Sequence, residues 1–119
     1  MNTRAYGNAG EQAACDFLIN KGWKIIGRNV RMGRNEIDII AEKRKTIAFI
    51  EVKRRSSTAY GQPAEAVNTE KQRRIVQAAA LYTESNGLEN ARLRFDVIEV
   101  LPGEIRHIEA AFDATGIFD

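Results

Sequence analysis

Two apolar runs separated by a short basic turn constrain this chain more than any other feature. Glu36-Ile37-Asp38-Ile39-Ile40 and Thr46-Ile47-Ala48-Phe49-Ile50 both read as strands, and Lys43-Arg44-Lys45 lies between them. Isoleucine and phenylalanine suit a pleated, half-buried surface, and so short a connection makes the two runs antiparallel neighbours. The second run closes on Glu51-Val52-Lys53. Side chains alternate between the faces of a strand, so Phe49, Glu51 and Lys53 share one face while Ala48, Ile50 and Val52 share the other. A carboxylate and an ammonium therefore point the same way from a strand that otherwise reads as buried. Asp38, on the neighbouring strand, is in reach of both. Two carboxylates supply hard oxygen ligands for Mg²⁺ or Mn²⁺, and a nearby lysine can orient water or stabilise charge on a phosphodiester. A structural Glu–Lys pair at a strand end with a surface aspartate satisfies the same spacing.

The remaining elements follow from periodicity and breakers. A first helix spans residues ~5–21, with Tyr6, Ala13, Ala14, Phe17 and Leu18 as its stripe and Gly22 as its stop. A strand covers ~23–31, Met32-Gly33-Arg34-Asn35 is a turn, and the two apolar runs give strands over ~36–42 and ~46–54. A polar loop follows at ~55–63, then a long helix at ~64–85 with Pro63 suited to its first turn and Gly87 past its end. A strand at ~92–101 places Leu93, Phe95, Val97 and Glu99 on one face, Pro102-Gly103 turns the chain, and ~104–109 is a last short strand. The tail from Ala110, with Phe112, Ile117 and Phe118, is expected to pack back on the body. The order is α-β-β-β-α-β-β, and the second helix can cross over between neighbouring strands of a mixed sheet.

Two ionisable residues sit on otherwise apolar helical stripes. Glu11 precedes Ala14 and Leu18 at helical spacing, and Lys71 falls between Val67 and Ile75. Polar groups on buried faces need partners, so one pocket shared with Asp38 and Glu51 is the economical explanation. Glu11 would then be a metal or water ligand and Lys71 a phosphate-binding cation. A buried salt bridge explains Glu11 equally, perhaps with Lys71 as partner, and a snorkelling side chain explains Lys71. Glu36 shares the face of Asp38, although a glutamate at a strand start usually faces solvent.

The other chemistry-bearing residues carry less. His107 is the only histidine, on the last short strand and without a Cys or His partner, which argues against a histidine metal site or a histidine-based triad. Cys15, the only cysteine, lies on the first helix's stripe as a small core residue and leaves no disulfide. Tyr60 is in position to stack on a base, or simply packs in its loop. No phosphate-cradling glycine loop is present.

The chain has 119 residues, 44% hydrophobic and 29% charged, which fits a single folded domain over 1–119. A net charge of +2 says little about partners, but arginines and lysines cluster at Arg28–Arg34, Lys43–Lys45, Lys53–Arg55 and Arg73-Arg74. Such clusters contact phosphates or simply solvate turns and strand ends. No signal peptide, lipidation motif or long apolar run appears, so a soluble cytoplasmic protein with no membrane association is expected.

These residues carry a family resemblance over nearly the whole chain. It runs through Gly10-Glu11-Gln12-Ala13-Ala14, Arg28-Asn29-Val30-Arg31, Glu36 to Ala41, Phe49 to Arg55, Ala66-Val67 with Lys71, Arg94 to Ile98 and Ala111-Phe112. The pattern resembles the YraN-like family of small bacterial proteins, within the PD-(D/E)xK nuclease superfamily of restriction-endonuclease-like fold. The resemblance implies a mixed, mainly antiparallel sheet flanked by helices. It implies that Asp38 and Glu51 bind a catalytic divalent metal, that Lys53 assists hydrolysis, and that Glu11 completes the pocket as in the resolvase-like branch. Asn35 stands where the family usually has glycine, and Ile37 where the superfamily has proline. A small loop difference is expected from the first, since asparagine tolerates a left-handed turn.

The leading reading is a Mg²⁺- or Mn²⁺-dependent endonuclease acting on DNA, with branched DNA among its substrates. Glu11, Asp38, Glu51 and Lys53 form its pocket, and Lys71, Arg54, Arg55 and Arg31 contact nucleic acid. A homodimer suits junction cleavage, which needs two sites. The alternatives are a nucleic-acid-binding module of the same fold that does not cut, and a partner-docking protein that binds no nucleic acid.

Overall fold

A computed structural model describes residues 3–55 and 67–114, with side chains from Ala9 onward. The elements are α1 (Thr3–Asn20), β1 (Lys24–Met32), β2 (Asn35–Lys43), β3 (Thr46–Arg54), α2 (Thr69–Ser85), β4 (Arg92–Leu101) and β5 (Glu104–Phe112). The five strands form one sheet in the order β1-β2-β3-β4-β5. Only β3 and β4 run parallel, joined by the crossover through α2; the other pairs are antiparallel. This is the mixed, mainly antiparallel sheet with two flanking helices that the sequence predicts. None of the described helices is long and apolar enough to cross a membrane.

The alternation read on β3 divides the core into two layers. Phe49 faces α2, packed with Ile37, Ile40, Ile47, Ile75, Phe95 and Val97. Ala48 and Ile50 face α1, packed with Ala14, Cys15, Leu18, Trp23 and Ile98. Phe49 is fully buried, meets the Tyr82 ring edge-on at 6.1 Å and stacks on Phe95 at 5.6 Å. Phe95 in turn stacks on Phe112 at 5.3 Å. Truncating Phe49 to alanine empties the centre of that layer, a change that costs about 3–5 kcal/mol in comparable cores.

Both helices end as their glycines dictate. Gly22 has φ +92°, Gly22 N bonds Ile19 O and Trp23 N bonds Leu18 O, each at 3.0 Å. This is a Schellman stop, and its hydrophobic contact is Leu18 with Trp23 in the α1 layer. Gly87, at φ +65°, closes α2 the same way, with Leu88 N on Thr83 O at 2.9 Å.

Three boundaries differ from the sequence expectation. The second helix starts at Thr69 rather than near residue 64, because Asn68 caps it: the Asn68 side chain accepts from Lys71 N at 2.8 Å. Val67 is buried ahead of the helix rather than on its stripe, which runs through Ile75, Val76, Ala78, Ala79 and Thr83. The last strand continues to Phe112, past an irregularity opposite Phe95–Val97 where Ala110 takes φ +50°. Asp96 bridges that irregularity by accepting from Ala110 N at 2.9 Å. Asn35 begins β2 without a left-handed backbone, and the turn's positive φ falls on Gly33 instead. Tyr60, Pro63, most of the ~55–63 loop, Ile117 and Phe118 lie outside the described residues.

Fully buried Asp96 also takes two bonds from Arg94, at 2.9 and 2.8 Å, and one contact of 2.7 Å with His107 Nε2. Burial pushes its carboxyl up, but the bonds from His107, Arg94 and Ala110 outweigh this and hold it below the usual value. His107 is thus one support of a buried carboxylate. Replacing Asn68 with alanine removes the cap of α2 and is expected to cost about 1 kcal/mol, lowering Tm by roughly 3–8 °C in thermal unfolding.

Candidate active site

The site forms where β2 and β3 part. Their paired residues run from Lys43–Thr46 to Ile39–Ile50 and stop there. One step further, Val52 N–H donates to Asp38 Oδ2 at 2.8 Å. A side-chain carboxylate thus replaces a ladder carbonyl, and the strand that carries Glu51 fixes the position of Asp38. Glu51 is 5% exposed, on the α2 face beyond Phe49. Its Oε1 receives Lys71 Nζ at 2.7 Å and Lys53 Nζ at 3.5 Å. Lys71 belongs to the first turn of α2, and the Asn68 cap that holds its backbone N–H also sets where its ammonium reaches.

Electrostatics join these groups. Burial and the Glu51 charge push the Asp38 carboxyl up to about 7; the Glu11 charge adds to the rise, while the Val52 bond and Lys71 oppose it. Burial pulls the Lys71 ammonium down, but its bond to Glu51 and the charges of Glu51 and Asp38 win, so it is raised above its usual value.

Glu11 stands beside this pair. Its Oε2 accepts from Asn29 Nδ2 at 2.9 Å and lies 4.0 Å from Arg28. Asn29 presents that amide from a left-handed backbone position, φ +50°, inside β1. The alternative of a Glu11–Lys71 bridge is not what forms, since Lys71 goes to Glu51. Among the described residues, no group of three or more His, Cys, Asp or Glu side chains is arranged to hold a metal ion. The carboxylates brought together on β2 and β3 are Asp38 and Glu51.

The basic residues expected at the rim occupy the same end of the sheet. Arg31 pairs with Glu36 at 3.7 Å, both exposed, so Glu36 faces its neighbour strand's arginine. Arg54 lies along α1, its Cδ close to Gly10. Arg55 Nε donates to Glu99 Oε2 at 3.3 Å, and Arg106 approaches the other Glu99 oxygen at 3.7 Å. Glu99 is 2% exposed and stands in register with Lys53. Its role was not read from the sequence, although a glutamate following Phe95 and Val97 on a buried face was the available signal. Asn29 and Asn68 were missed too: one acts from a left-handed position inside β1 and the other as a helix cap, and neither is marked by periodicity.

The model of the uncharacterised protein family UPF0102 matches residues 10–100, which include Glu11, Asp38, Glu51, Lys53 and Lys71. The chain belongs to UPF0102. A UPF0102 protein of Symbiobacterium thermophilum is 47% identical over 117 residues, spanning 94% of this chain and 99% of that protein. One of Clostridioides difficile is 44% identical over 114 residues, spanning 94% of this chain and all of that protein (100%). One of Chlorobium phaeobacteroides is 47% identical over 116 residues, spanning 89% and 92%. UPF0102 is the YraN-like, nuclease-like family that the motifs resemble.

The donor set of this UPF0102 chain suits one kind of ion. Two adjacent carboxylates, Asp38 pushed up by burial and by the charge of Glu51, offer hard oxygen atoms to a cation that takes over from the lysines on Glu51. Mg²⁺ and Mn²⁺ accept one or two carboxylates and fill their other positions with water or phosphate oxygen, so Asp38 and Glu51 fit such an ion. The raised Asp38 also sets a pH dependence. Its folded value lies above the unfolded one, so its contribution to stability is full below about 4 and is lost as pH rises through about 7. Asp38→Asn keeps an oxygen for Val52 N–H but carries no charge. Urea unfolding across pH 4 to 8 should show the variant gaining on wild type with rising pH, by on the order of a few kcal/mol at the plateau.

Proposed function

We propose that this protein is a divalent-metal-dependent endonuclease that hydrolyses phosphodiester bonds in DNA. The observation that carries the reading is the pairing of two carboxylates, Asp38 pushed up by burial and by the Glu51 charge, with two lysines within 3.5 Å of Glu51. Asp38 and Glu51 are the residues that would hold Mg²⁺ or Mn²⁺. Such an ion supplies charge to a phosphate oxygen and lowers the pKa of a bound water.

The chain's own residues do the rest. The Val52 bond favours the ionised form of Asp38 and fixes where its carboxylate sits, while burial and Glu51 oppose ionisation. Lys53 shares the face of Glu51 and stabilises negative charge developing on the phosphate. Lys71, 41% exposed at its side chain, can leave Glu51 for a phosphate oxygen when the carboxylate is otherwise neutralised. Glu11 holds Arg28 and Asn29 beside the pair and adds to its negative potential. Arg31, Arg54 and Arg55 at the same end contact the backbone of the nucleic acid.

One observation favours a second reading, a nucleic-acid-binding module that does not cut. Lys71 and Lys53 already neutralise Glu51, and a site with its carboxylate neutralised by lysines binds phosphate without needing a metal. Incubation with linear, single-stranded and branched DNA in Mg²⁺ or Mn²⁺ separates the two. Wild type should give metal-dependent product, Glu51→Ala and Asp38→Asn should lose at least a hundredfold in rate, and Lys53→Ala about a hundredfold. Equal cleavage by wild type and Glu51→Ala would sink the nuclease reading; salt-sensitive binding without product would favour the module.

A further inference from the structure

The opposite end of the sheet carries a second basic site. The turn between β2 and β3 consists of Arg44 and Lys45, with φ +49° and +67°. Two consecutive left-handed residues are the signature of a tight hairpin turn that ordinarily takes Asn-Gly. A side chain in that region costs roughly 1 kcal/mol or more per residue, yet here both positions carry long cations. Arg44 and Lys45, with Thr46, Asn90, Ala91 and Arg92, line a concave surface of about 520 Å³. Arg44, Lys45, Asn90 and Arg92 are exposed.

Three charges converge on this hollow, and none of the ion pairs among the described residues involves them. The neighbouring Lys43 is spent elsewhere, donating to Lys21 O at 2.6 Å. The hollow is held in shape by the backbone: Arg92 N donates to Lys45 O at 3.1 Å, tying the start of β4 to the turn. A preformed concavity with two guanidinium groups, an ammonium, an amide and a hydroxyl offers donors and positive charge for an anionic oxygen ligand. Its volume exceeds what a lone ion needs and is in the range of sites for larger groups, about 300–1,000 Å³.

We propose that this hollow is a second nucleic-acid contact, binding the phosphodiester backbone at the pole of the molecule opposite the carboxylate pair. The inference rests on the nucleic-acid reading above and adds a footprint to it. Thr46 and Glu51 are five residues apart on one strand, so roughly 17 Å separates the two contacts at about 3.3 Å per residue. The helices cover both sheet faces between them, so the second contact engages a distant stretch or a separate arm of the nucleic acid.

The test uses the full chain in EDTA, where no cleavage occurs, with fluorescence anisotropy on labelled duplex DNA from 50 to 300 mM KCl. Arg44→Asn/Lys45→Gly removes two charges while giving the turn its preferred residues, so this variant should be at least as thermostable as wild type. Each phosphate contact contributes about 0.9 to the slope of log affinity against log salt. The double variant should lose about 2 from that slope and Arg92→Ala about 1, with affinity at 50 mM KCl falling about tenfold or more for the double variant. Inorganic phosphate added at matched ionic strength should leave DNA binding unchanged. Unaltered slopes in folded variants would overturn the assignment, as would wild-type binding without salt dependence or low-millimolar phosphate saturating the hollow. Altered slopes in a protein that never cuts DNA would uphold this contact and refute the nuclease reading instead.

Discussion

The bond from Val52 N–H to the Asp38 carboxylate is the interaction on which the functional end of the molecule depends. It occurs because the β2–β3 pairing stops at Ile39–Ile50, leaving the next N–H of β3 in need of an acceptor. A side chain supplies it, and in doing so brings a second carboxylate close to Glu51. The same bond favours the ionised form of Asp38, while burial and Glu51 oppose it. A structural requirement of the sheet and the electrostatic tension of the site therefore share one pair of atoms.

The balance around Glu51 follows from the crossover. Parallel pairing of β3 with β4 requires a connection that returns along the sheet, and α2 provides it with its N-terminus over the carboxyl end of β3. Lys71 is delivered to Glu51 from that first turn, and the Asn68 cap fixes the turn. Charge at this end is matched closely: Lys53 and Lys71 against Glu51, Arg55 and Arg106 against Glu99, Arg28 against Glu11. Among the described residues Arg44 and Lys45 of the β2–β3 turn have no such matching, so the two ends of one hairpin differ in what they can attract.

Much of this was legible in the sequence. Period-two alternation placed Phe49 and Glu51 on one face and Ile50 on the other, and the structure keeps them there. The short basic turn implied antiparallel β2 and β3, and the long helix implied the parallel crossover. What failed did so where a side chain, not a period, sets the geometry. Asn68 shortened α2 by capping it, and Asp96 let β5 run on through Ala110 by bonding a backbone group across the irregularity. Glu11, a carboxylate expected to need a partner, has Asn29, in a left-handed strand position that no periodicity reveals, with Arg28 4.0 Å away.

The central claim is that Asp38 and Glu51 together form a site for one hydrated divalent cation. Calorimetric titration of Mn²⁺ into the full chain, in two buffers of different ionisation enthalpy, tests it most directly. Wild type should bind one ion. Because Asp38 is held at about 7 by burial, Glu51 and Glu11 against Val52 N–H and Lys71, binding at pH 6 should release close to one proton, and far less at pH 8. Glu51→Gln should abolish binding, and Asp38→Asn should weaken it and remove the proton release. Binding of equal strength in wild type and Glu51→Gln, or no binding by wild type at either pH, would contradict the account.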